Sequence, residues 1–369
     1  MNKSRLSVIH VDTERSWRGG QQQVVYLHEG LLQEGIKSFV LCRPSSALEK
    51  YLKEKRLPHM AVSMRNEADL FSAWKIANAA RTHGATVVHL HSAHALSLGI
   101  LSTFFYGTPK LVGARRVALP IRKNFFSRRK YLTPRVACHV AISEGVRKVM
   151  VEDGVDPDKI VTIHSGVDLE RMSSVASEPG LKRRLGIPED HLVVGTVAAL
   201  TREKGYSTLI DAAASVVNQF PKVTFCALGD GAERSLLEAR VEEAGLKERF
   251  LFLGFQKVVA PFFHLFDIYV QPSFFEGLGT SIMDAQTLGL PVIGSRVGGI
   301  PELVVDGLNG FLVEPGDEEG FGLRICEMLE SPKLRSEFGD AARQSITSFS
   351  VSECVKKSLE LYKRLSCSE

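Results

Sequence analysis

The sequence predicts two α/β domains, each built on a parallel, doubly wound sheet. Three observations carry that reading. Short apolar strands alternate with helical patterns along most of the chain. The alternation then breaks and restarts. Residues 171–180, rich in Ser and ending Glu178-Pro179-Gly180, read as a linker, and a new strand opens at Leu192. The length of 369 residues suits two domains that each bury a core. The first is expected over 1–170 and the second over 181–350.

The elements follow from local pattern. Leu6 to Val11 is an apolar strand. Gln21 to Gln33 carries helical periodicity and is stopped by Gly35. Ser38 to Cys42 is the second strand. A helix over Leu70 to His83 leads to a strand over Thr86 to Leu90, with further short strands at Leu111 to Ala114 and His139 to Ile142. In the second block a strand over Leu192 to Ala198 precedes a helix over Tyr206 to Gln219. A strand over Val223 to Leu228 then precedes a helix over Ala232 to Ala244. Thr280 and Ser281 are placed to cap a helix carrying Ile282, Ala285 and Leu288, which Gly289 and Pro291 end. Pro291 to Gly294 reads as a buried strand. A last helix is expected over 351–365. In sheets of this kind ligands bind outside the carboxyl ends of the strands.

Composition excludes several classes. Six scattered cysteines with no C-x-x-C pair indicate neither a zinc site nor a disulfide framework, and fit a reduced, cytoplasmic setting. Lys3 and Arg5 precede only a short apolar strand, so no signal peptide is expected. The longest apolar stretch, Ala95 to Gly107, is too short to span a bilayer. Charge is unevenly placed. Residues 1–170 hold 25 Lys+Arg against 15 Asp+Glu, whereas residues 171–369 hold 21 against 27. Between Leu70 and Ser143 there are eleven basic residues and no acid, which points to an anionic partner of the first half.

The densest chemistry lies between Gln271 and Glu302. Glu276 precedes Gly277-Leu278-Gly279, and Thr280 opens a helix. A glycine loop at a helix start presents free N–H groups and the positive end of a dipole, which suits a phosphate. Carboxylates beside it suit hydroxyls, of a sugar or a ribose. Asp284 has two readings, a ribose contact or the acid of a capping box with Ser281. Gly19 and Gly20 follow the first strand, but no G-x-G-x-x-G is present and a nicotinamide site is not expected. His89 and His91 alternate on a strand and so share a face, one of them in the core and the other reaching outward. H-x-H alone is a poor zinc signal. Arg115 and Arg116 end the next strand and suit an anion held bidentately. Arg122, Lys123, Arg128, Arg129 and Lys130 surround Phe125 and Phe126. Such a stretch fits an anionic membrane surface, a single-stranded nucleic acid or a solvated loop.

Taken together these motifs resemble the retaining family 4 glycosyltransferases, which have the two-domain GT-B fold. Glu276-Gly277-Leu278-Gly279 followed by Asp284 is similar to the family's donor loop, with Asp where the family's second Glu stands. Arg18-Gly19-Gly20, Val88-His89-Leu90-His91, Ala141-Ile142-Ser143-Glu144, Ser165-Gly166-Val167-Asp168, Glu203-Lys204-Gly205 and Leu228-Gly229-Asp230-Gly231 match further family motifs in order. The resemblance implies two Rossmann-like domains facing a central cleft, with the last helix, 351–369, packed back on the first.

It also implies roles. Glu276 contacts hydroxyls of the transferred sugar. Lys204 faces the leaving diphosphate, with Arg202 supplying the charge missing at Ala199. Gly229, Gly277, Leu278, Gly279 and Thr280 hold the donor, Asp284 its ribose, and Gly19 and Gly20 lie against its phosphates. His91 is a catalytic candidate, and Arg115 and Arg116 are acceptor or anion candidates. The implied activity is transfer of a sugar, with retention, from a nucleotide-diphosphate sugar to a glycan or lipid-linked acceptor. The expected setting is bacterial surface-glycan synthesis at the inner leaflet, with no metal, no cofactor and no nucleic acid. A nucleotide-sugar epimerase or a degenerate binding protein of the same fold are the alternatives.

Overall fold

The computed structural model of the chain describes residues 6–107, 109–121 and 125–367, and of residues 125–127 the backbone alone. These residues form two units. The first runs to Gly166 and resumes at Val351, and the second is Val167–Ser350.

The first unit contains β1 (Ser7–Val11), α1 (Gly19–Gln33), β2 (Lys37–Cys42), α2 (Ala47–Glu54) and β3 (His59–Ala61). It continues through α3 (Leu70–Thr82), β4 (Val87–Leu90), α4 (Ala93–Ser102), β5 (Lys110–Arg115), α5 (Phe125–Leu132), β6 (Val136–Ala141), α6 (Glu144–Glu152) and β7 (Ile160–Thr162). The second holds α7 (Leu169–Ser173), α8 (Leu181–Arg184), β8 (Leu192–Val197), α9 (Tyr206–Gln219), β9 (Val223–Leu228), α10 (Arg234–Glu243) and β10 (Phe250–Gly254). After these come α11 (Ala260–Phe263), β11 (Ile268–Gln271), α12 (Thr280–Thr287), β12 (Val292–Ser295), α13 (Ile300–Leu303), β13 (Gly310–Val313), α14 (Glu318–Glu330) and α15 (Pro332–Ile346). The last helix, α16 (Val351–Cys367), belongs to the first unit.

The first sheet has the order β3-β2-β1-β4-β5-β6-β7 and the second β10-β9-β8-β11-β12-β13. Every recorded pairing within them is parallel. Parallel strands with helices on both faces are buried on both sides, and β1 and β9 are buried at every residue. Helices start where a side chain accepts from a free N–H. Ser46, Asp69, Ser92, Ser143 and Asp317 do this for α2, α3, α4, α6 and α14.

Two features depart from the sequence reading. The break between units falls after Gly166, and residues expected in a linker are built into the second unit. Arg171 lies in α7, which packs on α12 through an Arg171–Asp284 ion pair. The helix after Gly279 has Gly279 itself as its N-cap, at φ +103°, with no side-chain cap from Thr280 or Ser281. Ser281 Oγ instead donates to Gln271 Oε1 at 3.3 Å.

The second core gathers Phe225, Phe321, Ile325, Ile268 and Val270. In the first unit α16 supplies Val355, Leu359, Leu361 and Tyr362 to a core with Val8, Leu27, Leu31 and Val87. A Cβ on Gly30 would stand 2.5 Å from Val355 Cγ2, so only glycine lets α16 lie this close to α1. The Tyr362 hydroxyl meets His89 Nδ1 at 2.5 Å in the buried interior. Tyr362→Phe leaves that nitrogen without a partner. It is expected to cost about 1–3 kcal/mol of first-unit stability in denaturant melts.

Candidate active site

In each sheet the strand order reverses once, between β1 and β4 in the first and between β8 and β11 in the second. Loops leaving the two central strands diverge there to opposite faces and open a crevice at their carboxyl ends. The sequence motifs cluster at those two points.

In the second unit the loop after β8 carries a short 3-10 turn, Arg202–Lys204, and the loop after β11 carries Glu276. Lys204 Nζ donates to Glu276 Oε2 at 2.6 Å, and both side chains are mostly covered. Gly205 fixes that geometry. It has φ +67°, and a Cβ there would come within 1.9 Å of the Pro272 carbonyl oxygen. The lysine turn and the glutamate loop are therefore locked together. The Phe274 N–H also donates to the Glu203 carbonyl at 2.8 Å.

Glu276 is positioned from below. The Gly277 N–H donates to its Oε1 at 3.2 Å, and Ser273 Oγ lies 3.4 Å from Oε2. Ser273 accepts from Gln271 Nε2 at 2.8 Å, and Gln271 Oε1 accepts from the Tyr269 hydroxyl at 2.8 Å. Tyr269, Gln271 and Ser273 are fully buried, so this chain holds the carboxylate on the core. Polar residues in and just after an apolar strand are its only mark in the sequence. Gly277, Leu278 and Gly279 are buried, whereas Thr280 is exposed. Gly229 stands at the end of β9 beside Ala198, and Arg202 is exposed on the lysine turn.

Asp284 does not act as a capping-box acid. Its Oδ1 accepts from Arg171 Nη2 at 2.5 Å, with Asp168 capping the helix that carries Arg171. Burial pushes the Asp284 carboxyl above the usual carboxylate range, and Arg171 pulls it back. The chain's departure from Glu thus coincides with a built-in arginine partner that sequence reading missed.

The first unit shows a second arrangement. His10 on β1 joins His89 on β4 and His91 just after it, and all three rings are buried. Arg116 Nη2 donates to His91 Nδ1 at 3.1 Å, and His91 Nε2 stands 3.0 Å from His10 Nδ1. A guanidinium only donates, so His91 Nδ1 accepts, His91 Nε2 carries the proton and donates to His10, and His10 is protonated on Nε2. Both nitrogens of His91 are therefore engaged. The structure corrects the expectation that one of His89 and His91 reaches outward, because both are buried and Arg116 covers His91. Nitrogens of His10, His89 and His91 lie close enough to share an ion. Arg116 engages His91 and Tyr362 engages His89, while Nε2 of His10 and Nε2 of His89 are buried without a hydrogen-bond partner among the described residues.

Arg116 is held between His91 and the glycine loop. A Cβ at Gly20 would lie 3.5 Å from Arg116 Cδ, and Gly19 and Gly20 open α1. Asp12, buried on the loop after β1, accepts from the Glu14 N–H and from Gln21 Nε2, each at 3.0 Å, and acts on the Arg116 charge. Arg115 is different. It is buried, donates to the Tyr131 hydroxyl at 2.9 Å and to the Leu119 carbonyl, and stacks on the Tyr131 ring. It fixes a loop and is not presented to an anion.

The basic stretch is only partly described. Arg122 and Lys123 lie outside the described residues, as do the side chains of Phe125 and Phe126. Arg128 and Arg129 are exposed on α5. Lys130 turns inward to Glu67 at 3.1 Å and to the Ala93 carbonyl, which removes it from the surface set.

Two doubly wound parallel sheets, one bearing a lysine–glutamate pair beside a glycine-led helix, are the GT-B architecture with its donor-type motifs in place. Comparison with known proteins agrees. The family described as "Glycosyltransferase Family 4" matches residues 17–171, and "Glycosyl transferases group 1" matches residues 178–345. An Escherichia coli UDP-Gal:alpha-D-GlcNAc-diphosphoundecaprenol alpha-1,3-galactosyltransferase is 25% identical over 97% of each chain. The lipopolysaccharide core biosynthesis glycosyltransferase LpsE of Rhizobium meliloti is 32% identical over 45% of this chain and 47% of its own. Anabaena HepE, crystallised with UDP and glucose, shares the fold at a TM-score of 0.86 and 21% identity, covering 97% of this chain and 100% of its own. The chain belongs to glycosyltransferase family 4, and glycosyl transfer is its class of chemistry.

Burial holds five first-unit histidines neutral. His28 and His139 are lowered to about 4, His89 to about 3, and His10 and His91 well below the ordinary value. Above pH 6.5 neither state gains protons. Below it the unfolded chain takes up protons that the native rings refuse, so stability falls as pH drops toward 4. The slope approaches about 1.4 kcal/mol per pH unit for each histidine. Asp12, raised by burial, opposes this as a single group. Trp17 and Trp74 are the chain's two tryptophans and both lie in this unit. Urea melts followed by their fluorescence are expected to show lower stability at pH 5 than at pH 7.

Proposed function

We propose that the chain is a retaining, metal-independent transferase that moves a sugar from a nucleotide-diphosphate sugar to a hydroxyl of a glycan or lipid-linked acceptor. The observation that carries this is the Lys204–Glu276 pair, held at a switch point beside the Gly277–Thr280 loop. On this reading the loop amides and the start of α12 take the diphosphate, and Lys204 neutralises the charge that grows as it leaves. Glu276 accepts from hydroxyls of the transferred sugar. The acceptor oxygen bonds to the anomeric carbon as the bond to the phosphate oxygen breaks. The acceptor proton passes to that departing oxygen on the same face, leaving a glycoside and a nucleoside diphosphate.

Positive charge from Lys204 and the amides does the work a divalent ion does in metal-dependent transferases, with Arg202 adding long-range charge. Asp284 meets the ribose only by sharing its carboxylate with Arg171. On the first unit Arg116 is the candidate for an anionic group of the acceptor, and His91 positions Arg116. A donor carrying uridine and a lipid-diphosphate acceptor are supported by the Escherichia coli relative, which names both. Surface-glycan assembly at the cytoplasmic face of the inner membrane follows from that acceptor. No described helix is long and apolar enough to cross a membrane.

Lys204→Ala and Glu276→Gln are each expected to lower transfer by about 100- to 1,000-fold, the range for a lost charge-stabilising group. The thermal melt of each should stay close to that of the parent chain. Near-parental transfer by both variants overturns the site. In a thermal-shift panel of UDP, GDP and ADP, one nucleotide at 100 times its Kd should stabilise by about 2.7 kcal/mol. That shift should shrink in Lys204→Ala.

A further inference from the structure

The first unit exposes an aromatic surface that the transferase site does not use. On α3 the outward stripe is Leu70, Phe71 and Trp74, with side chains 59%, 62% and 43% exposed. Phe71 and Trp74 stack with ring centroids 5.8 Å apart, and Lys75 Nζ lies 4.7 Å over the Phe71 ring. Further along α3, Arg81 sits over the Tyr106 ring, where the chain leaves α4. The same turn exposes Phe104 and Phe105 at 67% and 45%, with Arg135 lying 4.3 Å over Phe104. Aromatic rings are costly to leave in water, and a soluble protein rarely gathers them on one face without an occupant.

Phe71, Tyr106 and Phe104 each lie under a cation, and acids are absent from the stretch that builds the surface, Leu70 to Ser143. The two acids just before α3 are both engaged. Glu67 accepts from Lys130 and Ser97, and Asp69 caps the helix. Aromatic side chains among Lys and Arg match a bilayer whose headgroups are anionic, because rings enter the headgroup–acyl boundary while the cations stay at the phosphates. Leu70, Phe71 and Trp74 lie at the start of α3, at the carboxyl edge of the sheet that carries Gly20, His91 and Arg116. Phe104, Phe105 and Arg135 lie at the amino edge, so the surface runs along the flank of the first unit from one edge to the other.

We propose that the outer face of α3, with Phe104, Phe105 and Arg135, docks the protein on an anionic lipid bilayer. This adds a surface to the function proposed above and rests on that reading only for its purpose, not for its observation. The test is flotation of the full chain with phosphatidylcholine vesicles, with or without phosphatidylglycerol. The parent chain is expected to float with the anionic vesicles, and less as salt is raised. Phe71→Ser with Trp74→Ser should weaken that binding by at least about tenfold. Lys75→Gln with Arg135→Gln should weaken it by roughly ten- to thirtyfold. Thermal melts run beside the flotation separate lost binding from lost fold, because Trp74 is 43% exposed and Lys75 is partly covered. Failure of the parent chain to float, or unchanged flotation of the aromatic variant, overturns the proposal. So does a change of the aromatic variant from dimer to monomer with flotation unchanged, which would assign the face to a second copy. Transfer to a water-soluble acceptor is measured in parallel. Its loss in the parent chain would count against the transferase reading while leaving the flotation result to stand.

Discussion

In both units each sheet grows outward from a central pair of strands, and the direction of growth reverses at that pair. This single constraint places everything else. Parallel strands need crossover helices, the crossovers on either side of the reversal go to opposite faces, and the loops at that point separate. Into the gap of the second sheet fall the lysine turn after β8 and the glutamate loop after β11. Into the gap of the first fall the glycine start of α1 and the histidine-backed arginine. Residues more than seventy positions apart in sequence become hydrogen-bond partners because the strand order leaves no other loops at those points.

The two gaps are built on different physical terms. Around Glu276 the supporting groups are neutral and buried, running from Tyr269 through Gln271 to Ser273. They fix a carboxylate without adding charge to the site. Around Arg116 the supporting groups include imidazoles that burial keeps uncharged, with the Asp12 carboxyl acting on the guanidinium. The gap of the second unit pairs a carboxylate with a lysine, and the gap of the first holds a guanidinium backed by a histidine.

Much of this was legible in the sequence, because glycines, carboxylates and basic residues at strand ends have few structural uses. The α/β alternation and the Glu276 loop are legible directly, and the Lys204 turn through the family resemblance. What escaped was whatever depended on a partner far along the chain. Arg171 looks like a linker residue until α7 is seen against α12. Arg115 and Arg116 are neighbours of the same type, and only tertiary packing sends one into Tyr131 and the other onto His91. His10 gave no signal, since a lone histidine in an apolar strand is ordinary. Lys130 belonged by composition to a basic surface and by geometry to Glu67. The α3 surface was hidden for the opposite reason, because a helix rich in apolar residues reads as buried until its outward face is counted.

The return of α16 to the first unit has a consequence for how the protein is made. The second unit is one continuous stretch and has all of its strands once Ser350 has left the ribosome. The first unit lacks Val355, Leu359 and Tyr362 until the last residues are synthesised, and its β-sheet must wait with a helix-sized apolar groove uncovered. Vectorial synthesis therefore inverts the order of the sequence, and the domain begun first is the one finished last.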